Sequence, residues 1–473
     1  MNQKPRIPSD SSLPASQKWI WAMGGMAENF IGLGIIFLGM NIYNLGLGIS
    51  ATLVGVVLAV PRLIDVIIDP LIGNISDNAR TRWGRRRPFI LVGGVIAATF
   101  FVLQWSPPIG WGNQAIFFYF LATTVLCFFG YAIFTIPFNA MGLEMASDYN
   151  ERTRIQSAKY LFLIATQMLC SWLYAGCFFF GDLAGPQAGV KTEVVGVRYV
   201  AWIVAALVIL SCALPAIFCR ERDRSGEAHE KIHFLSALKQ TLSLRPFLIL
   251  CGIFLATNVG LTLIAGVGNY VSIFHACGGD KQFGSQIGAI NGTLNASLGF
   301  IAAWPVSWLA RRRGKRFAMM CGLGLSMSGA LSTWIFYTPA APWLQLIPWS
   351  IMCTGLTCLW ILTPSMLADV CDLDELKSGI KRAGMFSAVF AMILKGSIGF
   401  AAGISGLLVD LVGLDPGLQT QAPGTILGMR LMFALIPASL MGVSIVLVWI
   451  FPLTEEKVHE VQASIKERRL SGV

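Results

Sequence analysis

Two carboxylates, Asp65 and Asp69, lie four residues apart inside an apolar run, and Arg62 precedes the first of them by three. At the helical spacing i, i+3 and i+7 the three side chains share one face. Hydrocarbon tolerates ionisable groups only where they face a bundle interior or a wet cavity, so such groups mark candidate ion or solute routes. Asp65 stands roughly 15 Å in from the basic loop that follows, at about 1.5 Å per residue, which is near mid-membrane. Two acids this close cannot both ionise cheaply unless a cation or a base sits between them. The plainer uses are a salt bridge of Asp65 to Arg62 and a cap or loop role for Asp69, which Pro70 follows directly. Lys395, flanked by Met392, Ile393, Leu394 and Gly396, is a second intramembrane ion, and a buried ammonium needs a carboxylate partner. Glu28, within Gly-Gly-Met-Ala-Glu-Asn-Phe, either binds a polar solute or caps a glycine-broken helix. Trp360 precedes Ile-Leu-Thr-Pro, where a broken helix could present it to a cavity; most of the 14 tryptophans must be interfacial or packing residues.

These groups need membrane helices to hold them. Of 473 residues 55% are hydrophobic and 13% charged, about half the charge fraction of a soluble protein, which excludes an ordinary soluble domain. A spanning helix takes about 20 mostly apolar residues. Runs of that kind fall at 19–42, 51–75, 88–106, 115–138, 158–181, 197–219, 246–274, 285–309, 317–337, 343–367, 384–412 and 426–451. Arg80, Arg82 and Arg85 to Arg87 follow the second run, Arg220, Arg222, Arg224 and Lys231 the sixth, and Arg311 to Arg313, Lys315 and Arg316 the eighth. The loops after the third, ninth and eleventh runs hold no Lys or Arg. Basic clusters confined to one side predict that this side, with both termini, is cytoplasmic.

The chain also repeats. Trp83-Gly84-Arg85-Arg86-Arg87 leads into the third run, and Arg313-Gly314-Lys315-Arg316 into the ninth. The same tight basic turn thus recurs after the second helix of each six-helix half, as in major facilitator transporters. The expected architecture is an all-α integral membrane protein of major facilitator fold, with twelve transmembrane helices in two pseudo-symmetric halves. Its parts are a cytoplasmic tail at 1–18, halves at 19–219 and 246–452, a cytoplasmic connector at 220–245 and a second tail at 453–473.

Several classes fall away. The net charge of +10 sits in short interhelical clusters and not on a basic face, which argues against nucleic-acid binding. The 11 cysteines are scattered without a Cys-x-x-Cys pair, and His229, His233 and His459 fall in cytoplasmic polar segments without a Cys beside them, so neither metal nor disulfide framework is implied. Gly46-Leu-Gly48 lacks the strand–helix context and the Lys-Ser of a phosphate loop, and no nucleophile–base constellation stands out, so an enzyme is not expected.

Asp65-Val-Ile-Ile-Asp69-Pro70-Leu-Ile-Gly73, then Asp77 and Arg82-Trp-Gly-Arg-Arg-Arg-Pro88, resembles the signature of the glycoside–pentoside–hexuronide:cation symporters, the melibiose-permease-like branch of the major facilitators. The resemblance runs through Tyr131-Ala-Ile-Phe-Thr-Ile-Pro137, Asp148-Tyr-Asn-Glu-Arg152-Thr-Arg154, Ala368-Asp369-Val-Cys-Asp372 and Lys395-Gly396, and so covers both halves in order. It implies symport by alternating access, in the cell (inner) membrane and as a monomer. The cation-coupling residues would be Asp65, Asp69 and Lys395. Substrate binding would fall to Glu28, Asn29, Arg62, Tyr131, Thr135, Asn139, Lys159 and Trp360. A cytoplasmic gate would be formed by Arg152, Asp369, Asp372 and Lys381. No cofactor is implied, and the partners are a small solute, a sugar, glycoside or uronide, and membrane lipid.

Departures from the branch bear on specificity. Galactoside-binding aspartates on helices one and four, and a tryptophan on helix four, are replaced by Asn29, Thr135 and Asn139, which argues against melibiose. Two neutral ligands of the branch's sodium site are replaced by Ile68 and Ala132. A sodium cage wants five or six oxygens, whereas the remaining carboxylates can still take a proton, so the expected coupling ion is H+ with Na+ the alternative. Animal relatives that carry lysophospholipids offer a non-sugar alternative. A non-transporting sensor or scaffold has no need to bury both aspartates and Lys395.

Overall fold

The computed structural model describes residues 14–471 except 109, 146–148, 188, 220, 222–240 and 379–382. In chain order the helices are α1 (Ala15–Gly39), α2 (Ala51–Asn78), α3 (Arg87–Gln104), α4 (Asn113–Met145), α5 (Tyr149–Ser171), α6 (Leu173–Ala184) and α7 (Thr192–Phe218). They continue as α8 (Arg245–Tyr270), α9 (Lys281–Arg313), α10 (Lys315–Phe336), α11 (Leu346–Ser378), α12 (Ala383–Leu411), α13 (Pro423–Ile450) and α14 (Glu455–Ser471). The chain divides into two compact units, Met1–Ile49 with Leu63–Ala228, and Ser50–Arg62 with His229–Val473. The first half of α2 therefore packs with the second unit.

Among the described residues ten helices are long and apolar enough to cross a membrane by themselves, and α5 with α6, bent by 48° at Trp172, make an eleventh span. The one remaining predicted run, the eighth (285–309), lies in α9. At 33 residues α9 is long enough, but its composition falls short of the apolar standard that the other spans meet. Amide and hydroxyl side chains such as Asn291, Thr293, Asn295 and Ser297 interrupt it, and a span this polar needs a protein or water environment on one face.

Lipid tails give apolar helices no reason to associate, so close backbone packing through small residues must hold them together. At the α3–α4 contact of the first unit, a Cβ added to Gly93 would stand 2.4 Å from the amide nitrogen of Phe134. In the second unit α12 meets the start of α2 in the same way: a Cβ on Gly406 would fall 2.1 Å from the Ala51 carbonyl oxygen. There Asp410 of α12 accepts hydrogen bonds from Ser50 Oγ (2.5 Å), Thr52 N (2.8 Å) and Ala51 N (3.1 Å), an acidic cap supplied from another helix.

The internal repeat is visible within each unit. Both opening helices, α1 and α8, end in wider π-helical turns, Met40–Gly46 and Val271–Ala276. The basic turns are built alike too. Gly84 adopts φ +114° and Gly314 φ +82°, values that favour glycine because it lacks a Cβ. After Gly84, the amides of Arg85, Arg86 and Arg87 donate to the Glu221 carboxylate at 2.6, 2.8 and 2.8 Å, and Arg85 Nη2 reaches Glu144 of α4 at 2.9 Å. After Gly314, Lys315 Nζ reaches Asp369 of α11 at 2.6 Å, and Glu455 lies against the glycine, 3.0 Å from where its Cβ would be. Arg87 donates to the carbonyls of Ala216 and Ile217 at the end of α7, and Arg316 to that of Trp449 at the end of α13. Each unit thus carries its own clamp, formed by a basic turn, an acid on its fourth spanning segment, and a glutamate just past its last.

Candidate functional site

In the first unit three predicted residues come together from three helices. Lys159 of α5 places Nζ 2.6 Å from Glu28 Oε2 on α1 and 2.6 Å from Asn139 Oδ1 on α4. Asn139 Nδ2 donates to the other Glu28 oxygen at 2.6 Å, which closes a triangle. The Lys159 and Glu28 side chains are only 10% and 11% exposed, so the ammonium and the carboxylate compensate each other with little help from water. Glu28 lies inside α1 and is paired there; it does not cap a broken helix.

A floor of rings underlies the triangle. Lys159 Nζ is 5.2 Å from the Phe138 ring centroid and 5.8 Å from that of Trp21, within cation–π range. Trp21 and Phe138 stack at 4.8 Å, and Trp21 Nε1 donates to the Phe138 carbonyl at 3.1 Å. Sequence reasoning did not single out Trp21. Its signal was the room kept for it: a Cβ on Gly142 would lie 1.9 Å from the indole.

The other predicted residues of this unit take different positions. Asn29 Nδ2 donates to the Leu163 carbonyl at 2.7 Å and so ties α1 to α5. Thr135 has a buried hydroxyl without a hydrogen-bond partner among the described residues, which suits it to meet a hydroxyl or carbonyl of a solute. Tyr131 meets Phe128 edge-on at 5.8 Å. Asp65 is 2% exposed and Asp69, one turn further, is half-buried. The backbone of Arg152 lies in α5, but its side chain lies outside the described residues.

In the second unit Arg62 is buried, and its Cβ stands 3.0 Å from where a Cβ on Gly399 of α12 would be. Trp360 of α11 is 50% exposed and meets Phe254 edge-on at 5.7 Å. Lys395 of α12 is half-buried, and two residues on Ser397 accepts from Asn258 at 2.6 Å. Of the predicted gate residues, Asp369 is held by Lys315, which the sequence offers only as part of a basic turn. Asp372 accepts from Gln462 of α14 at 3.3 Å, and Lys381 lies outside the described residues.

A buried, charge-balanced polar cluster on membrane-spanning helices is chemically suited to meet a polar solute. Residues 20–455 match the family described as MFS/sugar transport protein. The chain belongs to that family. It is a multi-span membrane transporter of the major facilitator superfamily, not an enzyme. Among relatives of this MFS/sugar transport protein, an uncharacterised symporter of Synechocystis sp. is 24% identical, over 89% of this chain and 91% of its own. A glucuronide carrier protein homolog of Escherichia coli is 25% identical over 95% of both. The crystal structure of a D-xylose-proton symporter superposes with a TM-score of 0.66 at 14% identity, covering 93% of this chain and 98% of its own, a likeness of fold.

Proposed function

We propose that this transporter moves a sugar, glycoside or uronide across the cell membrane together with a proton. The carrying observation is Asp65, a carboxylate 2% exposed and half-way along a membrane-spanning helix, with Asp69 one turn on. An acid so placed is costly unless it is paired or takes and releases a cation, and alternation between the two states is what coupling requires. The symporter among the relatives and the glucuronide carrier homolog support both the coupling and the solute class. The Glu28–Asn139–Lys159 triangle supplies acceptor, amide and ammonium groups suited to hydroxyls or a carboxylate, and Thr135 adds a hydroxyl. Trp360 offers a flat apolar face for a sugar ring. Lys395 is an intramembrane cation of the second unit, as is Arg62 on the first half of α2. Both termini and the loops holding Arg85 and Arg313 are cytoplasmic in this reading, and the Lys315–Asp369 pair belongs to the cytoplasmic gate.

The test is uptake of labelled glucuronides and pentoses into proteoliposomes under imposed gradients. A pH gradient, acid outside, should drive accumulation, and sodium at fixed pH should change little. Asp65→Asn should abolish uphill accumulation while retaining solute exchange. Stimulation by sodium with no response to the pH gradient refutes proton coupling.

A further inference from the structure

In the second unit, α9 stands apart from the other spanning helices by its polarity, and its polar side chains fall into two kinds. The hydroxyls of Thr293 and Ser297 are spent on their own helix, donating to the carbonyls of Ala289 and Thr293 at 3.1 and 3.0 Å. Asn291 and Asn295 differ. The Oδ1 atom of each is buried and has no hydrogen-bond partner among the described residues. A buried carboxamide oxygen left without a donor is destabilising. Two such residues at i and i+4 lie on one helical face, with Cβ atoms about 5–6 Å apart. That face continues through Gly288, where an added Cβ would meet nothing within 4 Å, so open space lies beside it. Four residues beyond Asn295, Gly299 comes up against Thr357 of α11, three residues before Trp360.

We infer that Asn291 and Asn295 are hydroxyl-recognising residues of the substrate site on the second unit, which accept hydrogen bonds from two non-adjacent hydroxyls of one sugar ring. This rests on the sugar-transport reading above. A side chain retained for packing alone would be better apolar, because an apolar residue there leaves no polar group unsatisfied. A polyhydroxylated solute supplies the missing donors, and its passage explains why this span keeps two amides whose oxygens find no donor among the described residues. Discrimination follows as well, because a substrate lacking the matching hydroxyl leaves the amide as it is in the empty protein.

The experiment is counterflow in proteoliposomes with labelled methyl β-D-glucuronide and D-xylose, competed by their 2-, 3- and 4-deoxy analogues. It is run on the unaltered protein and on Asn291→Leu, Asn295→Leu and Asn295→Ser. Each Leu variant should raise KM by about three- to tenfold, the scale of one neutral hydrogen bond. The same variant should lose the unaltered protein's preference over one deoxy analogue, and its melting temperature should equal or exceed that of the unaltered protein. Asn295→Ser, which keeps an acceptor, should recover part of the preference. If deoxygenation and the Leu substitutions act additively at every hydroxyl, or if the Leu variants melt several degrees lower, the asparagines are structural and the inference falls while sugar transport stands. A changed sodium response with unchanged sugar selectivity also overturns it, in favour of a cation ligand. If the unaltered protein moves neither probe, the sugar-transport reading falls, and this inference with it.

Discussion

Replacing Glu28 with Ala removes one corner of the triangle on α1, α4 and α5. Lys159 Nζ then keeps one acceptor, Asn139 Oδ1 at 2.6 Å, and Asn139 Nδ2 loses the carboxylate it donates to. Breaking a buried ion pair from one side costs about 3–5 kcal/mol, because the remaining charge stays desolvated. With both side chains about one-tenth exposed, the lower end applies, about 3 kcal/mol. If the first unit unfolds as a domain of ordinary size, that corresponds to a loss on the order of 6 °C in melting temperature. Glu28→Gln keeps the hydrogen bonds without the charge and should lose less. The pair Glu28→Ala with Lys159→Ala should be destabilised by at least 1 kcal/mol less than the two single effects together, as expected for residues in contact. In detergent, with Cys321, which is exposed, replaced by Ser, a thiol-reactive dye reports unfolding through the buried thiols. Cys127, Cys170, Cys177 and Cys212 are buried in this unit. Burial pushes the thiol of Cys219, beyond the end of α7, up to about 12, with the Arg87 guanidinium pulling the other way, so it too stays silent until the fold opens. Strict additivity of the two Ala substitutions, or a Glu28→Ala protein as stable as its parent, would show that the carboxylate and the ammonium do not support one another.

Three further outcomes are expected. Trp360→Ala should weaken solute affinity by about two- to tenfold, and Trp360→Phe by less, because ring stacking is worth about 0.5–1.5 kcal/mol; equal affinities in transport assays would remove Trp360 from the site. Arg82→Cys and Trp111→Cys, both at exposed positions, should be labelled by impermeant maleimide from opposite sides of the membrane, and labelling from one side overturns the topology. Asp410→Ala strips the acceptor from three donors at the start of α2 and should lower stability by about 1–2 kcal/mol, whereas Asp410→Asn should retain part of it; a fully stable Ala variant would mean that the cap is idle.

The spans were legible because length and apolarity are local properties, and the basic turns because a glycine among arginines is conspicuous in any reading frame. Glu221 and Glu455 were not, since each acts on a turn more than a hundred residues earlier and nothing near it signals the partner. The same holds for Asp410, whose donors at α2 lie 358 to 360 positions away. Glu28 stood open between two uses because sequence gives its helix but not its neighbour, and Lys159 and Asn139 entered only through family resemblance. Asn291 and Asn295 were in plain view inside the run 285–309. Their polarity is visible in the run, but sequence does not say which amides find partners, and the orphaned oxygens in the folded chain set these two apart.

The clamp on the first basic turn also has a timetable. Arg85 and the Glu221 carboxylate that receives its amide are 136 positions apart. At a synthesis rate of about 5–20 residues per second, the turn is made roughly 7–27 s before its glutamate exists. During that interval four more membrane segments of the same unit must be laid down while the amides of Arg85 to Arg87 stay solvated. The glutamate arrives only when α7 is complete, so the bond cannot close over an unfinished half. Lys315, Asp369 and Glu455 repeat the sequence of events in the second half, with the last partner again supplied after the final span. Each clamp therefore works as a closing stitch, drawn tight when all the helices it gathers have been made.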